Sequence, residues 1–231
     1  MMELKAAELV AALKNSNMSV DTKVAHLQCV KSDIKQKNVP EGAVPSIFES
    51  IRLAIASQHS SLSGAGFSTL GHFLKRLLIQ ELHHLVALQC RALYPLLVER
   101  LGDHKERIRA QAAQSFTDMW LAAPEEVEQC VLGQALVGKN PRAKEMSMIW
   151  LSNVSSLSNL RSFSSFLTIP LQMTKNYGLL FRSYVSSLVA CLEDADSNVR
   201  NTAKNTVIEL FESVALWLHY FRMSFPHTNS D

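Results

Sequence analysis

The sequence predicts an all-α protein, a solenoid of stacked helical pairs, and three observations carry that reading. Glycine (8) and proline (7) are scarce among 231 residues, which favours long helices over a strand-and-turn architecture. Hydrophobic residues make up 47% and charged residues 19%, so the chain can bury a core without disulfides or a metal. The third observation is an internal repeat. "LVERLGDHKERIRAQAAQSFTDMW" (97–120) and "LVACLEDADSNVRNTAKNTVIELF" (188–211) match at a constant offset of 91 residues. Leu97 pairs with Leu188, Leu101 with Leu192, Asp103 with Asp194, Ile108-Arg109 with Val199-Arg200, Ala112 with Ala203, and Trp120 with Phe211.

Each copy is an apolar helix, a short polar turn containing Asp, and a second helix opened by an aliphatic-Arg pair. One such pair cannot bury both of its apolar faces, whereas stacked pairs share a continuous core. Pairs recurring every 35 to 46 residues are the signature of a HEAT-type solenoid, here of about five to six pairs.

The elements follow in order. Residues Glu3–Lys14 form a first helix, "NSNMS" a turn, and Asp21–Lys37 a second helix, with Ser19 and Asp21 placed to accept from free N–H groups at its start. "IFESIRLAIASQHSSLSGAGFSTLGHFL" is the next pair, 46 residues ahead of the copy at 97. Ile51, Ile55, Leu62 and Leu70 take the places of Leu97, Leu101, Ile108 and Phe116. A connecting helix spans His83 to Cys90. After the pair at 97–120, "EEVEQCVLGQAL", "VGKNP" and "RAKEMSMIWL" supply helix, turn and helix, and the copy at 188 closes the series. Trp120 and Trp150 end second helices on the apolar phase and belong in the core.

One stretch departs from the pattern. Lys144 and Arg200 stand 56 residues apart, and removing the nineteen residues Val154 to Gln172 brings that spacing to 37, in line with its neighbours. The stretch is therefore expected to be an insertion, disordered or loosely docked and without a site. Valine codons begin GT and one glutamine codon is CAG, the border letters of an intron, so a retained intron is its expected origin, with a lineage-specific loop as the alternative. The tail 214–231 leaves the pattern after Ser213, also at a valine, and is read the same way, as aberrant or disordered. On this reading the domain covers 1–213.

Composition excludes several functions. A formal net charge of +2 does not imply a nucleic-acid partner. The first helix carries Glu3, Lys5 and Glu8 and does not read as a signal peptide, and 151–171 is too broken by serines, Arg161 and Pro170 to span a membrane. A soluble intracellular protein is expected. Cys29, Cys90, Cys130 and Cys191 are far apart and read as reduced core thiols. His83 and His84 are adjacent, so on a helix they diverge and cannot hold a metal as an i, i+4 pair would. Gly64 and Gly66 make only GxG at a helix start, and no P-loop, GxSxG or HExxH occurs. A base-excising helical-repeat enzyme would need a basic groove, aromatic stackers and a positioned carboxylate together, and no such cluster is present. No cofactor and no enzymatic activity are expected.

"LVERLGDHKERIR", "GKNPRAKE" and "CLEDADSNVRNTAKNTVIELF" resemble the N-terminal tubulin-binding (TOG) domain of the CLASP family of microtubule-associated proteins. "AAELVAALKNSNMSVDTKVAHLQCVKSDIKQKNVP" resembles its fungal members. The resemblance implies a TOG-type paddle whose intra-pair turns face tubulin, and stabilisation of dynamic microtubules. It also implies a part in spindle assembly and a location in the cytoplasm, cytoskeleton and spindle, and in the nucleus during fungal mitosis. The implied tubulin-binding residues are Met18, His104, Lys105, Arg107, Lys139, Asn140, Arg142, Lys144 and Asn198. Tubulin's outer surface is acidic, so the basic members would steer encounter. Each exposed ion pair adds only about 0 to 1 kcal/mol, so several turns must act together. Asp103 with Arg109, and Asp194 with Arg200, repeat at one phase and are expected to form a structural ladder between neighbouring turns. The alternative partner for such a scaffold is another protein, such as a kinetochore or spindle component.

Overall fold

The computed structural model describes the backbone of residues 2–163 and 181–224 and the side chains of 2–154 and 183–212. Among the described residues the structure is helical, with no strand. The chain divides into two compact units, Met1–Ala135 and Leu136–Asp231.

The first unit holds three helical pairs. They are α1 (Met2–Lys14) with α2 (Val20–Gln36), α3 (Val44–Ala56) with α4 (Ser60–Ile79), and α6 (Tyr94–Leu101) with α7 (Glu106–Trp120). The connecting helix α5 runs from His83 to Cys90 as the sequence predicts, and α8 (Pro124–Cys130) continues into a π-helical turn, Val131–Ala135. First helices pack on first helices (α1 on α3, α3 on α6) and second on second (α2 on α4, α4 on α7), giving two layers. The repeat positions fill the space between them: Ile51, Leu97, Ile55, Leu101, Leu70 and Phe116 are all buried. Phe48 meets Phe73 at 5.0 Å between ring centres, in a tilted arrangement favoured by aromatic quadrupoles. Trp120 is buried, with its indole N–H donating to Glu128 Oε1 at 3.0 Å.

Polar side chains tie off helix ends that the apolar pattern leaves open. Ser19 caps α2 by accepting from the Thr22 amide at 3.2 Å. Arg76 of α4 donates to the carbonyls of Ile34 and Lys35 at the end of α2. Gln80 then bonds both the N–H and the C=O of Val39, at 2.8 and 3.0 Å. Helix α4 ends in a Schellman motif, with the Leu82 amide reaching Leu77 O and the Glu81 amide reaching Leu78 O. That motif puts Glu81 at φ 60°, the left-handed region usually filled by glycine. Gly66 serves close packing: a Cβ there would lie 2.9 Å from Ala54 Cβ and 3.1 Å from the Ile55 nitrogen.

The second unit holds α9 (Pro141–Phe163), α10 (Phe181–Leu192) and α11 (Ser197–Ser224), with α9 and α10 both packed on α11. Its core gathers Met148, Trp150, Leu151, Val154, Tyr184, Leu188, Val199 and Ala203. Helix α9 continues past Asn153 to Phe163, and Val154 is fully buried. The first part of 154–172 thus extends a helix, while 164–172 lies outside the described residues. Helix α11 likewise continues beyond Ser213 to Ser224, and 225–231 lies outside them.

Cys90, Cys130 and Cys191 are buried free thiols as expected, but Cys29 is exposed. It falls between the inward residues Leu27 and Val30 of α2 and points away from the layer interface. No described helix is long and apolar enough to cross a membrane.

Candidate functional site

The turns between paired helices carry the exposed charge, and their geometry follows from the Asp–Arg pattern. In the turn from α6 to α7, Asp103 Oδ1 accepts from the Lys105 amide at 2.9 Å and lies 3.2 Å from His104 Nδ1. Its Oδ2 accepts from Arg100 Nη1 at 3.3 Å. Burial pushes the Asp103 carboxyl up, but the amide, His104 and Arg100 outweigh it and hold the group below its usual range. Arg109, one turn into α7, donates from Nη1 to the carbonyls of Asp103 and His104 at 2.9 and 3.1 Å.

The turn from α10 to α11 repeats this arrangement. Asp194 Oδ1 accepts from the Asp196 amide at 2.9 Å, and Arg200 Nη1 donates to the carbonyls of Asp194 and Ala195 at 2.7 and 2.8 Å. Asp196 caps α11 by accepting from the amides of Asn198 and Val199 at 2.8 and 3.3 Å.

The expected ladder between neighbouring turns therefore takes another form. Arg109 and Arg200 bond the carbonyls of their own turns, because the arginine one helical turn downstream reaches back to them before it reaches a neighbour. Contacts between pairs are made by other residues. Arg100, 6% exposed, donates to the carbonyls of Ile55 and Ala56 at the end of α3, at 3.2 and 2.9 Å, as well as to Asp103. In the second unit Lys144 Nζ donates to Asp194 Oδ2 at 2.6 Å, and this bond is the chief cause holding the Asp194 carboxyl below its ordinary range.

The remaining turn residues divide by role. Asn140 caps α9, its Oδ1 accepting from the amides of Arg142 and Ala143 at 3.1 and 3.4 Å. Met18 is half-buried in the α1–α2 turn, and Lys144 is committed to Asp194. His104, Lys105 and Arg107 in the first unit, and Lys139, Arg142 and Asn198 in the second, are exposed. Among the described residues, no carboxylate lies within ion-pair distance of Lys105, Arg107, Lys139 or Arg142. The Arg107 guanidinium lies over α4, 3.7 Å from the Cβ position of Gly64.

This arrangement suits surface recognition. Two of the thiols are poor nucleophiles, since burial pushes Cys130 up to about 12 and raises Cys90 further. No group of three or more His, Cys, Asp or Glu placed to hold a metal occurs among the described residues.

Residues 2–215 match the family model described as CLASP N terminal. Protein stu1 of Aspergillus fumigatus is 95% identical over 215 residues, 93% of this chain and 16% of that protein. Protein stu1 of Aspergillus oryzae is 60% identical over 211 residues, again 16% of its length. The chain therefore spans only a small part of these relatives. Among solved structures, the MAST/Orbit N-terminal domain superposes with a TM-score of 0.69 at 16% identity, covering 94% of this chain and 88% of that one. The Drosophila melanogaster Mini spindles TOG3 domain gives 0.65 at 15% identity, covering 95% and 87%. These likenesses show the fold: stacked helical pairs of the TOG type.

Proposed function

The chain belongs to the CLASP N-terminal family, and from that premise we propose that it binds tubulin or microtubules through its intra-pair turns. The observation that carries the reading is the self-clamped turn. Asp103 and Arg109 bond the backbone of their own turn, which fixes it, and Lys105 and Arg107 are exposed with no ion-pair partner among the described residues. Lys139 just before α9 and Arg142 in its first turn are likewise exposed and, among the described residues, have no ion-pair partner. Rigid backbone with free cationic side chains lowers the ordering cost of binding an acidic surface and speeds encounter. A structural neighbour described as "TOG-tubulin binding specificity promotes microtubule dynamics and mitotic spindle formation" supports tubulin as that surface; it superposes with a TM-score of 0.63 at 18% identity.

Further parts of the proposal are stabilisation of dynamic microtubules, a role in the mitotic spindle, and location on the cytoskeleton and, in dividing fungal cells, inside the nucleus. Residues 1–213 are the proposed binding domain. Converting Lys105, Arg107, Lys139 and Arg142 to Glu tests the reading, because the clamps stay intact. Co-sedimentation with microtubules is expected to weaken more than tenfold while the thermal melt stays unchanged. Unaltered co-sedimentation in that variant overturns the proposal and favours a scaffold for another protein, such as a kinetochore component.

A further inference from the structure

A second charged surface lies in the first unit, on the layer of second helices. Lys31 and Lys35 stand at i, i+4 on α2, and His72 and Lys75 at i, i+3 on α4, which packs against α2. Lys75 is fifteen residues into α4, so the cluster lies roughly 22 Å along the helix from the α3–α4 turn. It is separate from the turn residues.

Asp118, in the adjoining groove, acts on Lys75 electrostatically without forming an ion pair with it. Among the described residues, Lys31 reaches only the Ser68 hydroxyl, at 3.4 Å. Among the described residues, no carboxylate lies within ion-pair distance of Lys31, Lys35 or Lys75. The neighbouring Arg76 is spent on backbone carbonyls. Beside the cluster a groove of about 250 Å³ opens between α4 and α7, lined in part by Ser68, His72, Lys75, Gln111 and Asp118. The Gln111 side-chain oxygen is buried there, with no hydrogen-bond partner among the described residues.

We propose that Lys31, Lys35, His72 and Lys75, with the adjoining α4–α7 groove, form a docking site for an acidic peptide segment of a partner protein. Clustered cations repel one another until an anionic partner relieves them, and carboxylates spaced along an extended chain suit two short rows of cations on adjacent helices. A nucleic acid fits less well: of the rings lining the groove, Phe67 is buried and His72 half-buried, so neither offers an open stacking platform, and Asp118 faces the groove from α7.

The charge around His72 supports this reading. Burial lowers its pKa first, and Lys35 and Lys31 from α2 and Lys75 from α4 lower it further. Across the groove, burial raises the Asp118 carboxyl against the opposing effects of Gln114 and Lys75. An acidic peptide would favour protonated His72 and neutral Asp118, so binding tightens as pH falls through the His72 range, until the peptide's own carboxylates protonate.

The test is fluorescence anisotropy of a labelled ten-residue polyglutamate peptide against the full 231-residue chain at low ionic strength. Expected results are saturable binding weakened by salt, a loss of at least tenfold in Lys31→Glu/Lys35→Glu/Lys75→Glu, and no change in Lys105→Glu/Arg107→Glu. NMR titration is expected to show the His72 pKa rising when peptide is bound. The last turn variant separates this site from the proposed tubulin surface, so either can fail alone. Absence of peptide binding by the unaltered chain overturns the proposal. So does equal loss in the turn variant, equal binding of polyglutamine, or tighter binding of an oligothymidylate than of polyglutamate. Circular dichroism checks that the triple variant is folded; if it is not, Lys31→Gln/Lys35→Gln/Lys75→Gln replaces it, with the same loss expected.

Discussion

Lys144 at the start of α9 donates to Asp194 in the turn before α11 across 2.6 Å, with the two side chains 18% and 15% exposed. One bond thus fixes the opening of one helix to the clamped turn of the next pair. Asp194→Asn and Lys144→Met are each expected to destabilise the protein by about 1–3 kcal/mol in urea unfolding, because each leaves a charged partner without its mate. The Asp194 carboxyl is depressed in the folded state, so its contribution is fully present above its ordinary value of 3.8 and is lost as pH falls through the lower folded-state value. The stability gap between the unaltered protein and Asp194→Asn should therefore be full at neutral pH and close in strong acid. A gap independent of pH would show that the charge contributes nothing.

Arg100 joins two helical pairs through backbone acceptors. Its guanidinium holds the carbonyls of Ile55 and Ala56 and the carboxylate of Asp103 from a position only 6% exposed. Arg100→Met keeps the aliphatic stem and removes these donors, so a loss of about 2–4 kcal/mol is expected in chemical denaturation. Arg100→Lys should recover only part of it, since an ammonium lacks the planar fork that reaches three acceptors.

Gly66 and Gly133 make a contrasting pair. A Cβ at Gly66 strikes Ala54 and the Ile55 backbone at 2.9 and 3.1 Å, whereas one at Gly133 meets nothing within 4 Å. Gly66→Ala should cost about 1–3 kcal/mol through overpacking of α3 on α4, despite the better helix propensity of alanine. Gly133→Ala is expected to be neutral or to stabilise by up to about 1 kcal/mol. Matched thermal melts of the two variants check both.

Glu81 occupies a left-handed conformation, at φ 60°, that penalises any side chain with a Cβ. Glu81→Gly is expected to raise stability by about 0.5–1 kcal/mol, since the Schellman bonds of Glu81 and Leu82 use only backbone atoms. A lower melting temperature in that variant would mean the Glu81 side chain contributes more than its strain costs.

Much of the fold could be read from periodicity. The helical pairs, the connecting helix at His83–Cys90, the cap at Ser19 and the burial of Trp120 and Trp150 follow from residue types at helical spacing. The devices that hold the pairs together could not. Arg100 and Arg76 reach carbonyls some 40 residues away in sequence (45, 44, 42 and 41 positions), and a carbonyl carries no residue-type signal. The Asp–Arg phase showed that these residues act in the turns, but a constant offset cannot distinguish bonds within a turn from bonds between turns. Lys144 shows the same limit: a lysine near a helix start reads as free until the Asp194 carboxylate, 50 residues later, is placed beside it.

The closure of each Asp–Arg clamp within a single turn has an evolutionary consequence. His104-Lys105 in one turn and Ala195-Asp196 in the other occupy the same scaffold with different chemistry. Asp196 also caps α11, but the clamps use only the backbone of Lys105 and Ala195, so these positions can change side chain without disturbing folding. A duplicated array of this kind can diversify what it recognises while inheriting one architecture.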